Sequence, residues 1–162
     1  DLIVVCGSTA RQPLQEYDYF RRRQIPFMAM PQEVFQLNHH PKTWFSSLDE
    51  AYEEHRSVVI SVNQPPRAGA NYALRLRNIM ALAVSSLTDI HIPRELVSEG
   101  GSTAFSILRV LGWDCFRVTE EVAPGVVRMA LILPPTEEDE EETDTHVTLK
   151  PGSYSWGEHL FQ

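Results

Sequence analysis

Residues 95–111 read ELVSEGGSTAFSILRVL, and this stretch decides how the rest of the chain is understood. The short run Glu95–Glu99 predicts a strand, and Gly100-Gly101 breaks it. Ala104, Ile107, Leu108 and Leu111 then recur at helical spacing, and Gly112 stands where a helix closes on a left-handed residue. A strand that turns on two glycines into a helix points free backbone N–H groups outward. The positive end of the helix dipole lies behind them. Glycine also lets backbone approach a ligand without a Cβ in the way. Ser102 and Thr103 add hydroxyls that can cap the helix or touch a phosphate or a metal-bound water. The corner suits an anion, above all a phosphate; the same residues also suit an ordinary helix start.

Upstream of this corner, Leu76, Ile79, Met80, Ala83 and Leu87 mark the strongest helix of the chain. Before it, Val58–Val62 is a β run ended by Gln64-Pro65-Pro66-Arg67-Ala68-Gly69. Ser47, with Glu50 three residues on, predicts an N-cap and a short helix through His55. Ile25–Met30 reads as a strand stopped by Pro31, and Leu2–Cys6 as a buried strand. Between these two strands, Pro13 suits a first helical turn, with Leu14, Tyr17 and Arg21 on one face. Downstream, Cys115–Val118, Val126–Leu133 and His146–Lys150 predict three further strands. Strands and helices alternate over the first two thirds, and strands dominate afterwards. The expected fold is an α/β sandwich: a mainly parallel sheet, an antiparallel extension, and helices packed on it.

Three predicted strands end in glycine-serine turns: Gly7-Ser8, Gly100-Gly101-Ser102 and Gly152-Ser153. Ligands of open α/β sheets bind outside the carboxyl ends of the strands. If the three strands are parallel neighbours, their turns line one edge and converge on an anion or nucleotide site. The chain holds no GxxxxGK[ST] and no GxGxxG. The site is therefore neither a P-loop nor a standard dinucleotide fold.

Composition narrows the classes. The 162 residues suit one domain, and 43% hydrophobic content is ordinary for a globular protein. No segment reaches the ~18 apolar residues of a membrane span. No signal peptide is visible, and the abrupt start at Asp1 suggests a domain cut from a longer protein. The net charge of −8 is concentrated in Glu137–Asp144, an EEDEEETD run with seven acidic residues. The remainder sums to −1. There is thus no basic stripe for nucleic acid, and residues 134–145 are expected to be an exposed acidic loop. Cys6 and Cys115 sit in apolar contexts and are expected to be buried thiols of a cytoplasmic protein. His39-His40 and the other histidines show no zinc-ligand spacing, so no metal-ligating residue is assigned.

Read together, several motifs resemble the four-carbon acid sugar kinases, specifically their C-terminal nucleotide-binding domain. Val5-Cys6-Gly7-Ser8-Thr9 is similar to that family's SGS segment. Glu99-Gly100-Gly101-Ser102-Thr103-Ala104, followed by Val110-Leu111-Gly112, carries most of the resemblance. Glu121-Val122-Ala123-Pro124-Gly125-Val126 is similar to its E-I-x-P-G-V, and Leu149-Lys150-Pro151-Gly152-Ser153-Tyr154 to its terminal L-K-x-G-N-F-G. Order and spacing match over nearly the whole chain.

The resemblance implies an ATP- and Mg²⁺-dependent kinase of carbohydrate metabolism that phosphorylates threonate, erythronate or related acids. An N-terminal domain, absent from this chain, would hold the acid, and residues 1–162 would be the nucleotide-binding domain. It further implies that Gly100, Gly101, Ser102 and Thr103 cradle phosphates, with Gly7 and Ser8 near the nucleotide and Gly152 closing over it. The family usually has an acidic residue in GG[DE]T where this chain has Ser102, and Asn-Phe-Gly where it has Ser153-Tyr154-Ser155. The acidic run looks like an insertion.

Outside these motifs, Lys150 can meet a phosphate or be an exposed strand-end lysine, and Arg67 can reach a phosphate or be a solvated loop charge. Glu99 is a candidate substitute for the missing acid at 102. Glu120 and Glu121 can bind metal through waters or be surface carboxylates. Trp44, Trp113 and Trp156 read as packing residues. No catalytic base is assigned, and the oligomeric state is open. Two other classes stand beside the kinase: a nucleotide-binding module without catalysis, and a structural or interaction domain that has lost the nucleotide.

Overall fold

The computed structural model describes residues 1–7, 18, 20–36, 41–65, 67–133, 144–152 and 154. In chain order the elements are β1 (Leu2–Cys6), β2 (Phe27–Ala29), α1 (Gln32–Phe35), α2 (Lys42–His55), β3 (Ser57–Ser61) and α3 (Ala70–Ile90). They continue with β4 (Glu95–Glu99), α4 (Gly101–Leu111), β5 (Phe116–Ala123), β6 (Val126–Leu131) and β7 (His146–Lys150). The strands form one seven-stranded sheet in the order β2-β3-β1-β4-β7-β6-β5. From β2 to β7 every pairing is parallel; β6 and β5 extend the sheet antiparallel. This is the expected α/β architecture.

The reason lies in the residue pattern. β1 and β3 are continuous apolar runs because both of their faces are covered, as parallel strands require. Side chains alternate across the sheet. Ile3, Val5, Val58, Ile60 and Leu96 face the larger core with Leu48, Met80, Val84 and Ile107 from α2, α3 and α4. Val4, Cys6, Val59 and Val97 face the opposite side and pack with Phe20. β5, by contrast, is largely exposed and depends on its hairpin with β6. That hairpin turns at Gly125, whose φ is 75° and whose N–H donates to Glu121 Oε1 at 2.8 Å.

Several local expectations change. α2 begins at Lys42 behind Pro41, not at Ser47, whose hydroxyl donates to the Thr43 carbonyl within the helix. The buried series Trp44, Leu48 and Tyr52 supports those extra turns. α3 starts at Ala70, six residues before the first residue of its apolar stripe. β2 is shorter than the run Ile25–Met30, and β5 continues beyond Val118 to Ala123. Cys6 is buried as expected, but Cys115 is exposed, because it lies in the connection between α4 and β5. Trp44 and Trp113 are buried packing residues. Pro13, Leu14, Tyr17, Ser8, Ser153, Trp156, His39, His40 and the acidic run up to Thr143 lie outside the described residues.

Candidate functional site

The condition set by the three glycine turns is met in the strand order. β1 and β7 flank β4, both parallel to it, and Cys6, Glu99 and Lys150 are aligned in register across the three strands. Gly7, Gly100 and the Pro151-Gly152 segment therefore leave the sheet at one edge. Cys6 is also in register with Ser61 of β3, so the loop carrying Arg67 emerges at the same edge.

Gly100 has φ 88°, a backbone conformation that side chains resist. Its N–H donates to the Lys150 carbonyl at 2.8 Å, tying the turn to β7. Its own carbonyl accepts from the N–H groups of Thr103 (3.1 Å) and Ala104 (3.0 Å), which starts α4. Gly101 and Ser102 are the first two residues of that helix, so their N–H groups have no acceptor within it. Among the described residues, no side chain caps the helix. Nor, among them, would a Cβ added at Gly100 or Gly101 meet anything within 4 Å, so on that account the outer side of the corner is open.

Gly7 is the opposite case. A Cβ there would come within 2.9 Å of both Cβ and Cγ2 of Thr103. Thr103 is buried and presses its side chain onto the Gly7 backbone, holding the first turn of α4 against the end of β1. Gly152 is exposed, with no heavy atom of the described residues within 4 Å of its missing Cβ.

Lys150 is not an exposed strand-end lysine. Its side chain is 0% exposed, and Nζ donates to Glu99 Oε1 at 2.7 Å; Glu99 is 4% exposed. The same ammonium reaches the Pro151 carbonyl at 3.2 Å. This neutral pair underlies the edge directly beneath the glycine corner. The other carboxylates have structural partners: Glu120 pairs with Arg128 at 3.2 Å, and Glu121 accepts from the hairpin turn.

A cavity of about 340 Å³ opens beside the corner, lined by Gly7, Ser102 and Thr103 on one side and by Arg67, Tyr72 and Arg77 on the other. Arg67 stacks over the Tyr72 ring, 4.7 Å from its centre. Tyr72 is itself fixed by an edge-on contact with Phe35 and a hydrogen bond from its hydroxyl to the Phe35 carbonyl. The loop behind Arg67 is held by Gln64 Nε2, which donates to the Met30 carbonyl at 3.0 Å. A larger open groove of about 790 Å³ runs between the outer faces of α3 and α4 and shares Arg77, Gly101 and Ser102 with the corner. Sequence reasoning named Arg67 but missed Arg77 and Tyr72. The available signal for Arg77 was a cation directly beside Leu76 in the apolar stripe of α3.

Residues 3–154 match the family of the nucleotide-binding C-terminal domain, and the chain belongs to that family. Among solved structures, it is similar to a Haemophilus influenzae protein of the DUF1537 family, at 18% identity and a TM-score of 0.70. That match covers 94% of this chain and 37% of the other. It is also similar to a DUF1537 domain from Bordetella bronchiseptica, a domain-swapped dimer with bound citrate, at 18% identity and a TM-score of 0.71. There the match covers 98% of this chain and 38% of the other. At this identity the likeness is one of fold. The chain spans less than two fifths of the solved proteins it matches. No curated protein matches it. No described helix is long and apolar enough to cross a membrane.

Proposed function

We propose that this domain, as the nucleotide-binding part of a sugar-acid kinase, binds ATP at the sheet edge formed by Gly7, Gly100, Gly101, Ser102, Thr103 and Gly152, with Lys150 beneath it. Ser8, outside the described residues, is a further candidate contact. The observation that carries the reading is the convergence of the turns after β1, β4 and β7 on a helix start where the N–H groups of Gly101 and Ser102 have no acceptor within the helix and, among the described residues, the side-chain positions of Gly100 and Gly101 are open. That geometry suits phosphate oxygens. The membership in a nucleotide-binding family supports it. The motif resemblance supports the finer identity: a cytoplasmic enzyme of carbohydrate metabolism that phosphorylates a four-carbon acid held mainly by an N-terminal domain. The short span of this chain along its solved neighbours is consistent with such a domain.

The residues at the edge fit a polyphosphate. Magnesium, when bound with the nucleotide, would neutralise phosphate charge during transfer. No cluster of three or more His, Cys, Asp or Glu able to hold a metal occurs among the described residues. Phosphoryl transfer rests on positioning and charge stabilisation, and the acid's binding site belongs to the other domain. The 162 residues alone are therefore expected to bind nucleotide without turning over substrate.

The test is a calorimetric titration with ADP and ATP, with and without Mg²⁺. Binding is expected, and Gly101→Val is expected to abolish it. The new side chain would point into open space at a residue without positive φ, so it blocks the ligand without straining the fold. Absence of binding at millimolar nucleotide, under both conditions, would overturn this reading for the 162 residues and leave either a degenerate site or one completed only by the other domain. Ser102, where the kinases usually carry an acid, favours a second reading: nucleotide binding without catalysis. Ser102→Asp that gains Mg²⁺-dependent binding or turnover would support it.

A further inference from the structure

Among the described residues, Arg21, Arg56, Arg94 and Arg128 have carboxylate partners. Arg128 meets Glu95 at 2.6 Å and Glu120 at 3.2 Å; Arg94 meets Asp144 and Arg56 meets Asp1. Arg67 and Arg77 differ. Neither has a carboxylate partner among the described residues, yet both line the same 340 Å³ cavity as Gly7, Ser102 and Thr103. Arg67 rests on an aromatic face, and the Nε of Arg77 is buried with no hydrogen-bond partner. A cation held without a counter-ion, with a buried unsatisfied donor, is costly unless something else supplies acceptors. Arg77 is in that position, and Arg67, itself exposed, lines the same cavity; both lie across from a helix start whose first N–H groups have no acceptor within the helix. The nearest buried charges, Glu99 and Lys150, cancel each other. Among the described residues, two guanidinium groups and no carboxylate line this cavity.

We propose that Arg67 and Arg77 are a two-sided clamp for the phosphates of the bound nucleotide, opposite the amides of Gly101 and Ser102. This rests on the nucleotide reading given above and names its phosphate-binding side chains. Guanidinium groups match phosphate oxygens in pairs and keep their charge at any working pH. Tyr72 fixes where Arg67 stands, and α3, which carries Tyr72, delivers Arg77 to the same wall. The clamp supplies positive charge at an edge where Ser102 replaces the usual acidic residue.

The experiment is calorimetric titration of the protein with ADP, inorganic pyrophosphate and adenosine, on wild type, Arg67→Gln, Arg77→Gln and Gly101→Val. Each arginine change is expected to weaken ADP and pyrophosphate about tenfold or more, from lost charge-assisted hydrogen bonds. Adenosine affinity should not follow. Arg67→Lys should recover part of the loss, because charge returns without the fork. Thermal melts establish folding. Should Arg77→Gln fail to fold, exposed Arg67 carries the test alone. ADP binding that is lost in Gly101→Val but unchanged in both arginine variants overturns the clamp and leaves the nucleotide reading intact. Pyrophosphate binding that needs the arginines, with no binding of ADP, keeps the clamp and removes the nucleotide. No binding of either to wild type removes both.

Discussion

Three glycines at the same sheet edge do different work at the residue scale. Gly7 is glycine because Thr103 occupies the space of a side chain; Gly100 because of its positive φ. Gly101 has neither constraint. Gly7→Ala is therefore expected to destabilise the protein by about 1–3 kcal/mol, the usual cost of overpacking. Gly101→Ala is expected to change stability by less than about 1 kcal/mol, with a slight gain where the unfolded chain loses freedom. Urea unfolding of the two variants checks the contrast, and Thr103→Ala in the Gly7→Ala background should recover part of the loss. Equal effects at both positions would contradict the packing described here. The glycines were legible in the sequence because turns announce themselves locally. Which of them touches Thr103, nearly a hundred residues away, was not.

The pairing of β4 with β7 is the critical contact between elements. Glu99 and Lys150 end adjacent strands and are buried together. Removing one partner takes this ion pair from the charge left buried. Lys150→Met is expected to cost about 3–5 kcal/mol, while Lys150→Met with Glu99→Leu should recover most of it. Denaturant midpoints of the single and double variants measure this. The strand ends themselves were readable: Glu95–Glu99 and His146–Lys150 coincide with their predicted limits. Helix starts were less so. Ser47 and Glu50 mimic a capping box, but the apolar series from Trp44 continues the helix back to Pro41, and tertiary packing overrides the local signal.

On the scale of the whole molecule, the larger core joins α2, α3 and α4 to one face of the sheet, and Tyr52 ties two of them. Its ring is fully buried on α2 and its hydroxyl donates to the His91 carbonyl, just past α3, at 3.3 Å. Burial raises the hydroxyl above its ordinary value of 10, partly countered by the charge of Arg56. Below that value the group is neutral in both folded and unfolded chains, and its contribution is whole. Above it the unfolded chain ionises first, so stability falls as pH rises through the folded value. Tyr52→Phe is expected to cost about 1 kcal/mol or less at neutral pH and to flatten this alkaline decline. Melting temperatures from pH 7 to 11 check both effects; an unchanged alkaline slope would mean that another group sets it.

The sequence by itself determined the element types, the mainly parallel sheet with its antiparallel extension, and the glycine corner. Each of these is written in local periodicity, in apolar runs, and in residues whose backbone freedom is their own. Only the tertiary structure decided that β1, β4 and β7 are neighbours, that Lys150 is buried on Glu99, and that Arg67 and Arg77 face one cavity. Those facts depend on which strands pair and which helix faces meet. The pairing is set by the summed burial of two sheet faces, to which residues about fifty to a hundred positions apart contribute together.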